Sequence, residues 1–174
     1  MKMRLVSIAW TALVASGALM VGSATPALAQ YEVGAGLNVA TPLSDADDAL
    51  KTGWGFDGWL GYGLDLPFLH ITPDLRFTYS SLPGDAAGAD TIGIWRGVVG
   101  GKVAIGEIFR VYGTAHFGYG NAESEGASTY DLGGGLEFTA LPLINIGAGV
   151  SYNSLNTDVA IQWLNVGAWA SLHF

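Results

Sequence analysis

Between Leu69 and Ser80 apolar and polar side chains alternate. Leu69, Ile71, Leu75, Phe77 and Tyr79 share one parity, and His70, Thr72, Asp74, Arg76 and Thr78 the other. A period of two puts these sets on opposite faces of a β-strand, and no helical stripe can be drawn through them. The stretch from Ile108 to Gly120 repeats the scheme, with Phe109, Val111, Ala115, Phe117 and Tyr119 against Arg110, Tyr112, Thr114 and His116. So does the end of the chain, where Val166, Ala168, Ala170, Leu172 and Phe174 alternate with Asn165, Ser171 and His173. The whole sequence contains eight such segments, at 31–40, 54–64, 69–80, 91–104, 108–120, 129–139, 144–153 and 160–174. Each has roughly the length a tilted strand needs to cross a bilayer. The segment at 91–104 fits least well, because Ile92, Ile94 and Val98 fall on the parity that is polar elsewhere. A bulge near Gly100-Gly101 is the expected remedy, since one extra residue flips every later side chain.

Connections alternate in length. Those at 65–68, 105–107 and 140–143 are tight, while 41–53, 81–90, 121–128 and 154–159 are longer and polar. Short turns at one end, long loops at the other and an even strand count describe an up-and-down barrel. A faint hairpin repeat, Leu66-Pro67-Phe68-Leu69-His70-Ile71 against Leu141-Pro142-Leu143-Ile144-Asn145-Ile146, reads as shared turn chemistry.

Alternation alone would also suit a soluble ligand-binding barrel, and two features decide for a membrane. On the apolar face Tyr31, Tyr62, Phe109, Phe138 and Phe174 fall toward the short-turn end. Trp54, Phe56, Phe77, Tyr79, Trp95, Phe117, Tyr119, Tyr130 and Tyr152 fall toward the long loops, giving the two girdles that membrane interfaces select. The polar face is rich in glycine, at 34, 36, 55, 61, 63, 118, 133, 135, 147 and 149, as a narrow lumen requires. The expected fold is therefore all-β, an eight-stranded antiparallel up-and-down transmembrane β-barrel.

The start of the chain names a compartment. Lys2 and Arg4 precede an apolar run from Leu5 to about Val21, and Ala27-Leu28-Ala29 supplies a small-x-small cleavage site. Pro26 and that site favour a cleaved signal peptide over a retained helical anchor. The expected organisation is a signal peptide at 1–29 and an outer-membrane barrel at 30–174. No cysteine is present, which excludes disulfides, thiolate metal sites and cysteine nucleophiles. After cleavage five bases, Lys51, Arg76, Arg96, Lys102 and Arg110, face fifteen acids, a balance that argues against nucleic acid as a partner.

From Gln30 to Phe174 the chain resembles the small eight-stranded outer-membrane barrels, the family of OmpX and the membrane domain of OmpA. The alternating strands, the short turns and the terminal Phe174 carry the resemblance. It implies a bacterial outer-membrane location and recognition of the last strand by the barrel-assembly machinery. Unlike OmpA, the chain stops at its eighth strand, so no peptidoglycan-binding domain is implied.

Inward charges fall in layers, with Glu32, Lys102, Arg110 and Glu137 near the short-turn end and Asp57, Asp74, Arg76, Arg96, His116 and Asp131 at the middle and above. Singly buried they would each cost several kcal/mol, so pairs on adjacent strands are expected: Arg110 with Glu137, Asp57 with Arg76, Asp74 with Arg96. The narrow lumen favours a structural plug over an ion path, and aromatic filler over a ligand pocket at Trp59, Trp163 and Trp169. A lipid A deacylase-like site would need a His-x-Ser pair on the lipid side. Here His70, His116 and His173 all have lumen parity, and none is followed by such a serine. A palmitoyltransferase-like barrel would need an amphipathic helix before the first strand, which Gln30 enters almost at once. Asp45-x-Asp47-Asp48 offers oxygen ligands but lacks the glycine and distal glutamate of a calcium loop. It reads as a solvated acidic loop that divalent cations could bridge to lipopolysaccharide phosphates.

The expected role is non-catalytic: a structural, envelope-integrity or surface-interaction barrel, monomeric, contacting outer-membrane lipids and lipopolysaccharide. No catalytic, cofactor or metal residue is expected. The alternative is a narrow pore or a binder of a small hydrophobic ligand, and the third choice a lipid-modifying enzyme. Phe174→Ala should lower outer-membrane yield and leave chain in the periplasm, measured by fractionation and by the gel shift between boiled and unboiled samples.

Overall fold

A computed structural model describes residues 30–43, 49–86, 89–122, 125–141, 143–158 and 160–174. Residues 1–29, expected to be a signal peptide, and the run Asp45, Asp47, Asp48 lie outside the described residues. Eight strands form: β1 (Gln30–Leu43), β2 (Gly53–Leu66), β3 (Leu69–Leu82), β4 (Ile92–Gly106), β5 (Phe109–Ala122), β6 (Glu125–Leu141), β7 (Ile144–Leu155) and β8 (Ile161–His173). Each pairs antiparallel with the next, and β8 returns to β1 to close the barrel. Closure leaves no unpaired sheet edge, which hydrocarbon would not tolerate. Tyr31 and Phe174 complete the seam, exchanging backbone hydrogen bonds of 2.9 and 3.1 Å beyond the last strand.

The outward parity is apolar through most of the wall, and rings gather at both ends of it. Tyr31 meets Tyr62 and Phe174 near the short turns, and Phe109 meets Phe138. Toward the loops Tyr79 and Trp95 stack at 4.2 Å, with Trp54, Phe56 and Phe77 around them.

The expected bulge at Gly100-Gly101 is absent. Gly100 pairs with Asp74 and His116, and Gly101 with Pro73 and Ala115, in unbroken register. Among the described residues the register shift lies between Phe138 and Leu141 on β6. Ile94 and Val98 do point inward and are fully buried, because the interior is not polar along its whole height. At the loop end Ile94 packs with Ala40, Leu50, Leu82, Ala122, Ala127, Leu155 and Trp163, and Ile92 and Ile161 border the cluster. The outward neighbours there, Thr41, Asn121 and Ser128, are exposed and polar. Alternation continues into this rim with its polarity inverted, as in a sheet whose outer face meets water.

That inversion also lengthens the strands beyond the expected ends. Asn121 pairs with Gly126 and Ala122 with Glu125, so the third external connection shrinks from the expected 121–128 to 123–124. The first two loops dock on each other instead of standing free. Leu50 bridges Gly84, Asp85 N–H donates to the Ala49 carbonyl at 2.9 Å, and Lys51 pairs with Asp85 at 3.2 Å. This clasp delivers Leu50 into the apolar cluster. At the opposite end the two halves of the hairpin repeat adopt the same unusual backbone, with Phe68 at φ 67° and Leu143 at φ 64°.

Leu155 belongs to the buried rim cluster while Leu132 is exposed on the lipid face. Leu155→Ala should therefore destabilise the barrel by about 2–5 kcal/mol, and Leu132→Ala by clearly less, in denaturant unfolding from liposomes.

Candidate functional site

The interior beneath the rim is the part of the molecule where charge, aromatic rings and buried polar groups converge. Glycines make that possible. A Cβ at Gly34 would collide with Trp59, one at Gly147 with Trp169, and one at Gly149 with the Tyr112 hydroxyl. The expectation that Trp59, Trp163 and Trp169 point inward holds, and each ring has a cation 4.9 Å from its centroid: Arg76 over Trp59, Arg96 over Trp163 and Lys102 over Trp169. Such contacts strengthen as they are desolvated. Trp59 and Trp169 meet edge-on at 5.6 Å, and Trp169 donates from Nε1 to the Tyr112 hydroxyl at 3.0 Å. Together these rings form a partition within the lumen.

Toward the loops from that partition, Arg96 donates to Thr78 at 2.9 Å and to Asn153 at 2.8 Å, and lies 3.7 Å from Asp131. His116 sits between two carboxylates, its Nδ1 2.8 Å from Asp131 and its Nε2 3.0 Å from Asp74. Toward the short turns Lys102 donates to Glu137 at 2.8 Å and to Glu32 at 3.2 Å, and Trp59 donates to the same Glu32 oxygen at 3.1 Å. Arg110 takes the other oxygen of Glu137 at 3.3 Å.

Of the three expected pairs only Arg110 with Glu137 forms. Asp74 does not meet Arg96, because His116 and Arg76 occupy it, the latter at 3.6 Å from two residues away on the same strand. Asp57 forms no ion pair within 4 Å with Arg76; it accepts from Asn38 at 3.1 Å. Adjacent-strand pairing missed contacts along one strand and across the lumen. Lys102 and Glu32 are separated by 70 residues and three strands, and nothing in local spacing announces their meeting.

A cavity of about 80 Å³ remains, lined by Asn38, Asp57, Asp74, Arg76, Tyr112 and Asn165 among others. Its lining is mixed, since Leu37, Trp59, Val150, Ala168 and Trp169 face it as well. Near the short turns His70 contacts Asp65, and His173 Nε2 lies 3.3 Å from Ser171 Oγ. Among the described residues no group of three or more His, Asp or Glu gathers as a metal site.

Residues 11–171 match the family described as outer membrane protein beta-barrel domain. The chain belongs to that family. Among solved structures it is similar to Neisserial surface protein A, with 13% identity over 83% of this chain and 97% of that one, at a TM-score of 0.63. It is also similar to Ail, the attachment invasion locus protein of Yersinia pestis, with 18% identity, 83% and 98% coverage and a TM-score of 0.57. The outer membrane enzyme PagL follows at 12% identity, 81% and 98% coverage and a TM-score of 0.52. These identities are those of a shared fold. No curated protein sequence matches the chain.

Because one outer-membrane barrel with this fold is an enzyme, the Ser171–His173 contact bears on chemistry. Sequence reasoning looked for His-x-Ser and passed over the reversed spacing, Ser171-Leu172-His173. Both side chains face the lumen, and Ser171 is only 2% exposed. A nucleophile there lies on the wrong side of the wall for a lipid tail.

Glu137 neutralises two cations, Lys102 and Arg110, at 2.8 and 3.3 Å. Glu137→Ala should therefore cost on the order of 3 kcal/mol or more, and apolar replacement of Glu137 with Arg110 should restore less than it would for an isolated pair. Double-mutant unfolding cycles in liposomes measure both, and additive effects would mean the charges do not interact.

Proposed function

We propose that this chain is a non-catalytic outer-membrane barrel with a closed lumen, serving a structural, envelope-integrity or surface-interaction role. The observation that carries the reading is the stacking of three closures in one interior: the apolar rim around Trp163, the Trp59–Trp169 partition, and the Lys102 bridge between Glu32 and Glu137. An eight-stranded barrel has an interior that side chains can fill, and here Lys102, Glu32, Glu137 and Arg110 do so as one hydrogen-bonded network. The fold does not choose among roles, since it is shared by a surface protein, an attachment invasion locus protein and an outer membrane enzyme. Within this reading the chain is exported by a signal peptide cleaved after Ala29. It is assembled through the strand ending in Phe174, stands as a monomer in outer-membrane lipid, and meets lipopolysaccharide through its acidic loops.

One observation favours a second reading, a narrow pore. The cavity beside Arg76, Asp57 and Asp74 is a polar space already inside the wall. Asp57, Asp74 and Arg76 in its lining disfavour a small hydrophobic ligand, although Trp59 and Trp169 line it too. The lumen position of all three histidines and of Ser171 speaks against lipid modification.

Planar-bilayer recordings should give negligible current for the wild type, whereas a steady open current would favour the pore. Mass spectrometry of lipid A from cells with and without the protein should give the same species, and a changed acylation pattern would return the enzyme. A loop-deletion binding screen on whole cells tests the surface role.

A further inference from the structure

Partway up the lumen, glycines leave space beside three oxygen-bearing side chains. Asp57 on β2 stands opposite Gly36 on β1, and Asn38 on β1 is flanked in register by Gly55 on β2 and Gly167 on β8. A Cβ at Gly36 would come within 2.8 Å of Asp57 Oδ2, and one at Gly55 within 2.5 Å of Asn38 Oδ1. Those oxygens therefore occupy room that the glycines vacate. Asn165 on β8 stands opposite Ala40, two residues above Asn38, which makes it the diagonal neighbour of Asn38 on the same face. Asn38, Asp57 and Asn165 all line the cavity of about 80 Å³.

Their oxygens are short of partners. Asn38 donates from Nδ2 to Asp57 Oδ1 at 3.1 Å, which leaves its own Oδ1 a buried acceptor with no donor. Asn165 is only 9% exposed, and its Oδ1 is likewise buried without a donor. Among the described residues Asp57 has no ion pair within 4.0 Å. The carboxylates around it do: Glu32 and Glu137 share Lys102, Asp131 lies by Arg96 and His116, and Asp74 lies by Arg76 and His116.

Three acceptors and one unpaired negative charge around a single cavity call for a cation. Water alone would donate to the oxygens and leave the carboxylate charge uncompensated. An anion would meet Asp57 and Asp74, and an apolar guest would leave the oxygens unpaired. A divalent ion takes more carboxylates than one. Here the Arg76 guanidinium, 3.6 Å from Asp74 and over the Trp59 ring, already adds positive charge to the lining. One carboxylate and two amide carbonyls match a hard ion of single charge. The space admits such an ion with a few waters, each of which needs about 10–15 Å³.

We propose that this cavity holds one alkali-metal cation, Na⁺ or K⁺, on the Asp57 carboxylate and the side-chain oxygens of Asn38 and Asn165. The ion is resident in the interior and completes its charge balance, and the site stands whether the lumen is closed or conducts.

The barrel, folded in liposomes, would be unfolded in urea at one ionic strength in NaCl, KCl or N-methylglucamine chloride, whose cation is too large for the cavity. Above half-saturation, a tenfold rise in the bound alkali ion should raise the folded-to-unfolded ratio about tenfold. Asp57→Asn keeps the side-chain shape and should abolish that dependence, and Asn165→Ala should raise the half-saturating concentration several-fold. Crystals of the wild type grown in rubidium chloride should show an anomalous scattering peak beside Asp57, a readout that needs no variant. Equal stability in all three salts, a dependence that survives Asp57→Asn, or water alone at the site in the rubidium crystals would overturn the proposal. Planar-bilayer current, which tests the closed lumen, is read separately.

Discussion

Closing eight strands into one wall leaves an interior only as wide as the side chains that fill it, and the rest of the molecule answers to that width. Large rings fit where the neighbouring strand carries glycine in register, as at Gly34 beside Trp59 and at Gly147 beside Trp169. Most of the charges find an ionic partner at close range, and Asp57, beside the remaining cavity, accepts from Asn38. Arg96 illustrates the result: it touches Thr78, Asn153 and Asp131 while lying over the Trp163 ring. Ion pairs of this kind add less to stability than their number suggests, since desolvation offsets much of their attraction. Their main effect is to make loss of any single member expensive.

The solvent outside the wall sets what the inside can be. Within the membrane the outward face must be apolar, so polar groups turn inward and pair. Beyond the upper aromatic belt the outward residues Thr41, Asn121 and Ser128 are polar, and the interior changes to Leu82, Ile94, Leu155 and Trp163. One barrel thus contains a membrane-type section and a water-type section joined along continuous strands. The clasp between the first two loops, through Leu50–Gly84 and Lys51–Asp85, covers the water-type core from above. The external loops are carried on this barrel scaffold, and loops so held commonly meet partners.

The alternation of side chains along the chain determined the eight strands, their antiparallel order, the apolar outer face and the inward set of tryptophans, charges and histidines. Those are local properties, since a period of two follows from backbone geometry at each residue. Only the tertiary structure decided which inward groups meet. Lys102 reaches Glu32 across the lumen and His116 reaches Asp74 on a strand that is not its neighbour, because closure and stagger of the barrel bring distant strands to one depth, while Arg76 turns to Asp74 on its own strand. The same holds for β4. Ile94 breaks the polar parity of the interior in the sequence, and it is a core residue because the interior at the loop end is an apolar cluster. Parity can be read residue by residue, but depth and cross-lumen distance exist only after the wall has closed.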